Sequence, residues 1–180
     1  VSLVNENELP GIDEVRVSGG RVLIAGLGIA AGAMLVAEMF IVLVLRMPEF
    51  LLIAAPLTVA FMLTAGLLIA LAMDRITRGY SHRTASLLFG AAGLVAGVLW
   101  GYPVFTLALN AASESSGVQP GSAAVWVGAF YVGSLAALGG ITGRYFGPWA
   151  ATRPGLVRIV VVTVLGVALI GVLVLSLIRL

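Results

Sequence analysis

The sequence predicts an all-α polytopic membrane bundle of five transmembrane helices, and three observations carry that expectation. Five apolar stretches are each long enough to cross hydrocarbon, which takes roughly 20 helical residues. The arginines between them fall almost entirely on alternate sides of the expected membrane. With 61% hydrophobic and only 10% charged residues in 180, and a mean hydropathy of +1.14, the chain leaves no room for a separate soluble domain. A transmembrane β-barrel would alternate apolar and polar residues over segments of about ten, whereas these stretches are apolar on every side.

Residues 1–21 hold Glu6, Glu8, Asp13, Glu14, Arg16 and Arg21, interrupted by Pro10, Gly11, Gly19 and Gly20, which predicts a short cytoplasmic tail. The transmembrane domain is 22–180. Its first span, 22–45, starts too far along and runs too long for a cleaved signal peptide, so it is expected to span and stay. Gly28 and Gly32 lie one turn apart on it, a small-xxx-small seam that lets another helix approach closely. The second span, 50–73, has Pro56 near its start and ends at Asp74, which stands alone, and a basic loop containing His82. The third, 85–109, doubles the seam with Gly93, Gly97 and Gly101, and its Pro103 is expected to free the Leu99 carbonyl and favour a kink.

The loop 110–121, rich in serine, alanine and glycine and containing Pro120, is expected to be a flexible connector. The fourth span, 122–141, offers Ala129, Gly133 and Ala137 on one face. Between it and the fifth span, 156–178, stand Arg144, Tyr145, Phe146, Pro148, Trp149, Arg153 and Pro154. Arginine mixed with aromatic residues describes a segment at headgroup level, either anchoring the bundle in the interface or docking a partner or anionic lipid. The glycine seams leave open whether the facing helix belongs to this chain or to another subunit.

Orientation follows from the arginine count. Arg16 and Arg21 precede the first span, Arg75, Arg78 and Arg83 follow the second, and Arg144, Arg153 and Arg158 follow the fourth. Only Arg46 and Arg179 fall on the other side, which predicts a cytoplasmic N-terminus and an external C-terminus in the cytoplasmic membrane. Glu114 does not weigh against this, because acidic residues contribute little to the rule.

Several function classes drop out. There is no cysteine, hence no disulfide, thiolate nucleophile, Cys-ligated zinc or iron–sulfur cluster. A single histidine excludes paired-histidine haem ligation and histidine-rich metal sites. No lysine is present, so a phosphate-cradling glycine–lysine loop is absent. The arginines form no stripe that would follow a nucleic acid backbone. No cofactor, no metal and no catalytic constellation is expected. An all-arginine basic complement is what a high-GC bacterial genome produces through codon usage.

Glu38 is the one ionisable residue well inside a span, and an intramembrane acid normally faces the bundle interior with a partner. At about 1.5 Å per residue it lies roughly 10 Å below Leu45. Tyr102 lies as far from the same end of the third span, and Thr58 and Tyr131 roughly 12 to 14 Å down theirs. All four are therefore expected at one level, as a proton or cation site with Glu38 as the charge-bearing group and three hydrogen-bonding neighbours. The plainer expectation is a carboxyl satisfied locally or snorkelling to the surface.

Ala37, Glu38, Met39 and Phe40 in a first span, followed by Pro48 and Glu49, resemble the start of the five-helix form of cytochrome oxidase subunit III. That family also runs from a cytoplasmic N-terminus to an external C-terminus, and its second helix carries small residues before a basic loop, as Gly66 to Arg78 does here. Its histidine-containing and tryptophan-rich later helices have no counterpart in 124–180. The leading expectation is therefore a non-catalytic accessory, structural or assembly subunit of a larger bacterial membrane complex, in contact with lipid and with other subunits or copies of itself. A small transporter or channel built on Glu38 is the alternative, and a divergent subunit III-like protein a remoter one.

Overall fold

The computed structural model describes residues 19–46, 49–116 and 121–178. The tail residues 1–18, Pro48, Pro120 and Arg179 lie outside the described residues. Among those described, every element is helical, and five helices are long and apolar enough to cross a membrane.

Helix α1 (Gly19–Leu45) starts before the apolar run does. Gly19 and Gly20 sit in its first turn, where the N–H groups lack intrahelical partners anyway and glycine costs little. It stops at Arg46, whose φ of 56° is the left-handed conformation that ends helices. The second span is α2 (Glu49–Phe61), a π-helical turn (Met62–Gly66) and α3 (Leu67–Ile76) running on as one rod. In the π turn the Leu67 N–H reaches back to the Met62 carbonyl, and the Thr64 hydroxyl donates to the Ala60 carbonyl at 2.7 Å.

A tight turn follows. The Thr77 N–H and hydroxyl both donate to the Met73 carbonyl, and Ser81 caps α4 (His82–Ser116) by accepting from the Thr84 N–H at 3.2 Å. His82 is thus the first residue of a helix rather than part of a loop, and α4 continues through Pro103 well past the expected end at 109. Helix α5 (Ser122–Ala151) also overruns its expected end, by ten residues, and only Thr152 and Arg153 separate it from α6 (Pro154–Ile178). Arg144, Tyr145 and Trp149 therefore belong to a helix and not to a connecting segment. The reason is packing: Gly139, Gly143 and Gly147 continue a small face that lies against Gly26, Ala30 and Met34 of α1, so the helix is held by its neighbour after its sequence turns polar.

Helix α5 packs along both α4 and α1, and α6 lies outside against α1 and α2. Both glycine seams are met within this chain. A methyl group on Gly97 would sit 2.7 Å from the Gly133 Cα, and one on Gly101 3.2 Å from the Ala129 Cα, so α4 and α5 touch backbone to backbone. Gly28 and Gly32 admit Val161 and Val160 of α6. Pro56 leaves the Leu52 carbonyl without its helical N–H, and that carbonyl lies against Gly171 of α6, where a side chain would not fit. The walls of α1, the second span, α4 and α5 enclose the interior described next.

Candidate functional site

Glu38 is buried, with 3% of its surface exposed, and Thr58 of α2 is buried to the same extent. The Thr58 hydroxyl donates to Glu38 Oε1 at 2.5 Å, across 20 residues of sequence. Other hydroxyls of the spans bond the preceding turn of their own helix: Thr106 to Tyr102, Ser134 to Phe130 and Thr142 to Leu138, each at 2.8 Å. Thr58 instead spends its proton on another helix, which joins α1 to α2 at this level.

The second carboxyl oxygen, Oε2, is fully covered and has no hydrogen-bond partner among the described residues, and the same holds for the Tyr131 hydroxyl of α5. Glu38, Thr58 and Tyr131 all line one cavity of about 190 Å³. Its remaining wall is apolar, with Met34, Phe50, Leu57, Phe61, Trp100, Val104 and Leu135 among the contributors. Phe50 meets the Tyr131 ring edge-on at 6.3 Å, and Phe61 meets Trp100 at 5.6 Å. A water occupies about 30 Å³ in the liquid, so the volume admits several, and two unpaired polar atoms supply the anchorage a water requires.

Three of the four residues expected at this level therefore meet, and Tyr102 does not. It is 42% exposed on the outer face of α4 and meets Trp126 at 4.8 Å with the rings tilted by 52°. The azimuth is the reason: Trp100, two residues earlier, lines the cavity, and two helical residues subtend about 200°. Phe50 and Phe61 are aromatic lining residues that the sequence did not single out.

A second cavity, of about 210 Å³, lies at the other end of the same four-helix enclosure. Glycine and alanine supply half of its lining residues, and Asp74 of α3 and Arg144 of α5 stand in its wall. Asp74 lies 3.6 Å from Arg78 and 4.0 Å from Arg144, and no second acidic side chain joins it in this wall among the described residues. The Arg144 guanidinium also lies 5.5 Å over the Phe89 ring, and its Nε is buried without a partner among the described residues. Arg144 is thus turned into the bundle, whereas Tyr145 and Trp149 face outward, Tyr145 against the His82 ring at 5.1 Å and Trp149 beneath the Arg153 guanidinium at 4.3 Å. The periodic glycines 139, 143 and 147 were the available signal that Arg144 sits on a continuing helix. No group of three or more metal-ligating acidic or histidine side chains occurs among the described residues. Compared with known proteins, the chain matches no family model, no curated protein and no solved structure.

Proposed function

We propose that this chain is a non-catalytic multi-pass protein of the bacterial cytoplasmic membrane, N-terminus inside and C-terminus outside, that transports protons or a small cation by loading and unloading the Glu38 carboxyl. The supporting observation is the free Oε2 atom, buried at a cavity it shares with the unpaired Tyr131 hydroxyl. A carboxyl kept only to tie α1 to α2 needs one oxygen, and Thr58 already takes it. The chemistry of the wall favours a proton. Divalent cations such as calcium collect roughly six to eight oxygens, whereas a proton needs one acceptor and a neighbour to pass it on. The orientation rests on the arginine distribution alone.

The other reading is an accessory or assembly subunit of a larger membrane complex, with Glu38 as an interhelical tie. It draws support from the apolar wall around the three polar groups, which offers no continuous row of hydrogen-bonding side chains. Glu38→Gln separates the two. Glutamine keeps an acceptor for Thr58 and nearly the same volume while losing the titratable proton. In proteoliposomes carrying a pH-sensitive dye, the wild type should dissipate an imposed proton gradient and the variant should not, with both melting alike. Equal dissipation by both, or none by either, removes the transport reading, and a variant that still co-purifies with the same membrane proteins then supports the subunit.

A further inference from the structure

The two cavities are stacked along the bundle and share one residue. On α1 the first cavity takes Met34 and Glu38 and the second takes Ala30 and earlier positions; on α5 the division falls between Leu135 and Ala136. Among the described residues Phe61 alone lines both. It is 3% exposed and packs in one cluster with Met34, Leu135 and Ala136, against Trp100 and Met62. This cluster lies between a chamber lined by Glu38 and a chamber lined by Asp74.

The partition is hinged on an irregular segment. Phe61 is the last α-helical residue before the π turn Met62–Gly66, and the Thr64 hydroxyl of that turn lies 3.4 Å from its carbonyl. A π turn holds one residue more than an α turn, so moving it one step along the helix rotates the residues it passes by about 100°. Such a step would swing Phe61 from the partition without unwinding the helix on either side.

We infer that the chamber walled by Asp74 and Arg144 is the second half of the route to Glu38, and that Phe61 is the closed gate between the halves. The inference rests on the transport reading for what moves, but the gate itself is a statement about access and is tested without flux. A water or hydrated proton approaching Glu38 from the Asp74 end meets the Phe61 cluster. Asp74 and Arg144, paired at the mouth, then set the charge that a cation meets on that side.

The chain has no cysteine, so one engineered thiol reports one position. Ala54→Cys places it in the Glu38 chamber and Ala70→Cys in the Asp74 chamber, both at buried sites. Sealed vesicles of each orientation receive silver ions on the outside in chloride-free buffer, and unreacted thiol is counted with a maleimide after denaturation. With Phe61 present, the Ala70→Cys thiol should react from the side bearing Asp74 and the Ala54→Cys thiol only from the opposite side. Adding Phe61→Ala should let silver reach the Ala54→Cys thiol from the Asp74 side at least about tenfold faster, which corresponds to about 1.4 kcal/mol off the barrier. Phe61→Leu keeps an apolar plug and decides the matter if the alanine variant is not recovered: it should raise the same rate, by less. An Ala54→Cys thiol that already reacts equally from both sides, or whose rate no Phe61 variant changes, overturns the gate. Glu38→Gln should leave this thiol pattern intact, so a failure of the transport reading and a failure of the gate are told apart.

Discussion

Gly97→Ala is the substitution for which the structure predicts the clearest loss. The new methyl would sit 2.7 Å from the Gly133 Cα and 2.9 Å from both the Ala136 Cβ and the Val132 carbonyl oxygen. Carbon atoms in ordinary contact lie about 3.5 to 4.0 Å apart, so α4 and α5 must separate by about 1 Å. No flexible side-chain end can yield instead, because two of the three obstructing atoms are backbone and the third is an alanine methyl. Separation loosens the whole seam from Gly93 to Gly101. Overpacking of this kind costs roughly 1 to 3 kcal/mol, against a gain of about 0.5 to 1 kcal/mol for alanine over glycine inside a helix. Gly166→Ala on α6 is the control, since its methyl meets no atom within 4 Å and keeps only the gain. Thermal unfolding in mild detergent, followed by tryptophan emission, is a direct assay, because Trp100, Trp126 and Trp149 all lie on α4 and α5. Gly97→Ala should melt below the wild type and Gly166→Ala at or above it. If the two melt together, the seam is not close-packed and the reasoning from contact distance fails.

Two further outcomes follow from the ends of the bundle. Gly79→Cys and Gly155→Cys, both in open space, should react with an impermeant maleimide from the cytoplasmic face alone, and labelling of either from outside would reverse the orientation. Arg144→Lys should lower the melting temperature more than Arg78→Lys, because Arg144 lies over the Phe89 ring and Arg78 is largely in solvent. The expected cost at Arg144 is about 0.5 to 1 kcal/mol, and equal melting of the two variants would show that the stacking contributes nothing.

The spans were legible because hydropathy reports what hydrocarbon demands, and each apolar run became a helix. Helix ends were less so, because hydropathy falls where polar residues begin while the helix stops where its caps and contacts stop. Ser81 extends α4 back over His82, and the Gly139–Gly143–Gly147 face carries α5 past Arg144. Counting rise per residue brought Glu38, Thr58 and Tyr131 to one cavity, since depth is a property of one helix at a time. Rotation is a property of pairs, and so Tyr102 faced outward while Trp100 faced in. The Asp74–Arg144 pairing and the π turn depend on which helices are neighbours, and no local residue announces either.

The bundle divides into a part packed backbone to backbone and a part with irregular helical hydrogen bonding. Between α4, α5 and α1, glycines bring backbones into contact, and such surfaces have one good fit, because sliding either helix drives a side chain into the facing main chain. The second span has no such glycine face toward these three helices. It carries instead Pro56, which removes a helical hydrogen bond, and the π turn, whose carbonyls bond five residues on rather than four. Thr58 and Phe61 lie between these two irregularities, one holding the Glu38 carboxyl and the other closing the partition. Thr58 and Phe61 therefore move together if this segment turns, while Tyr131 stands on the close-packed side of the same cavity.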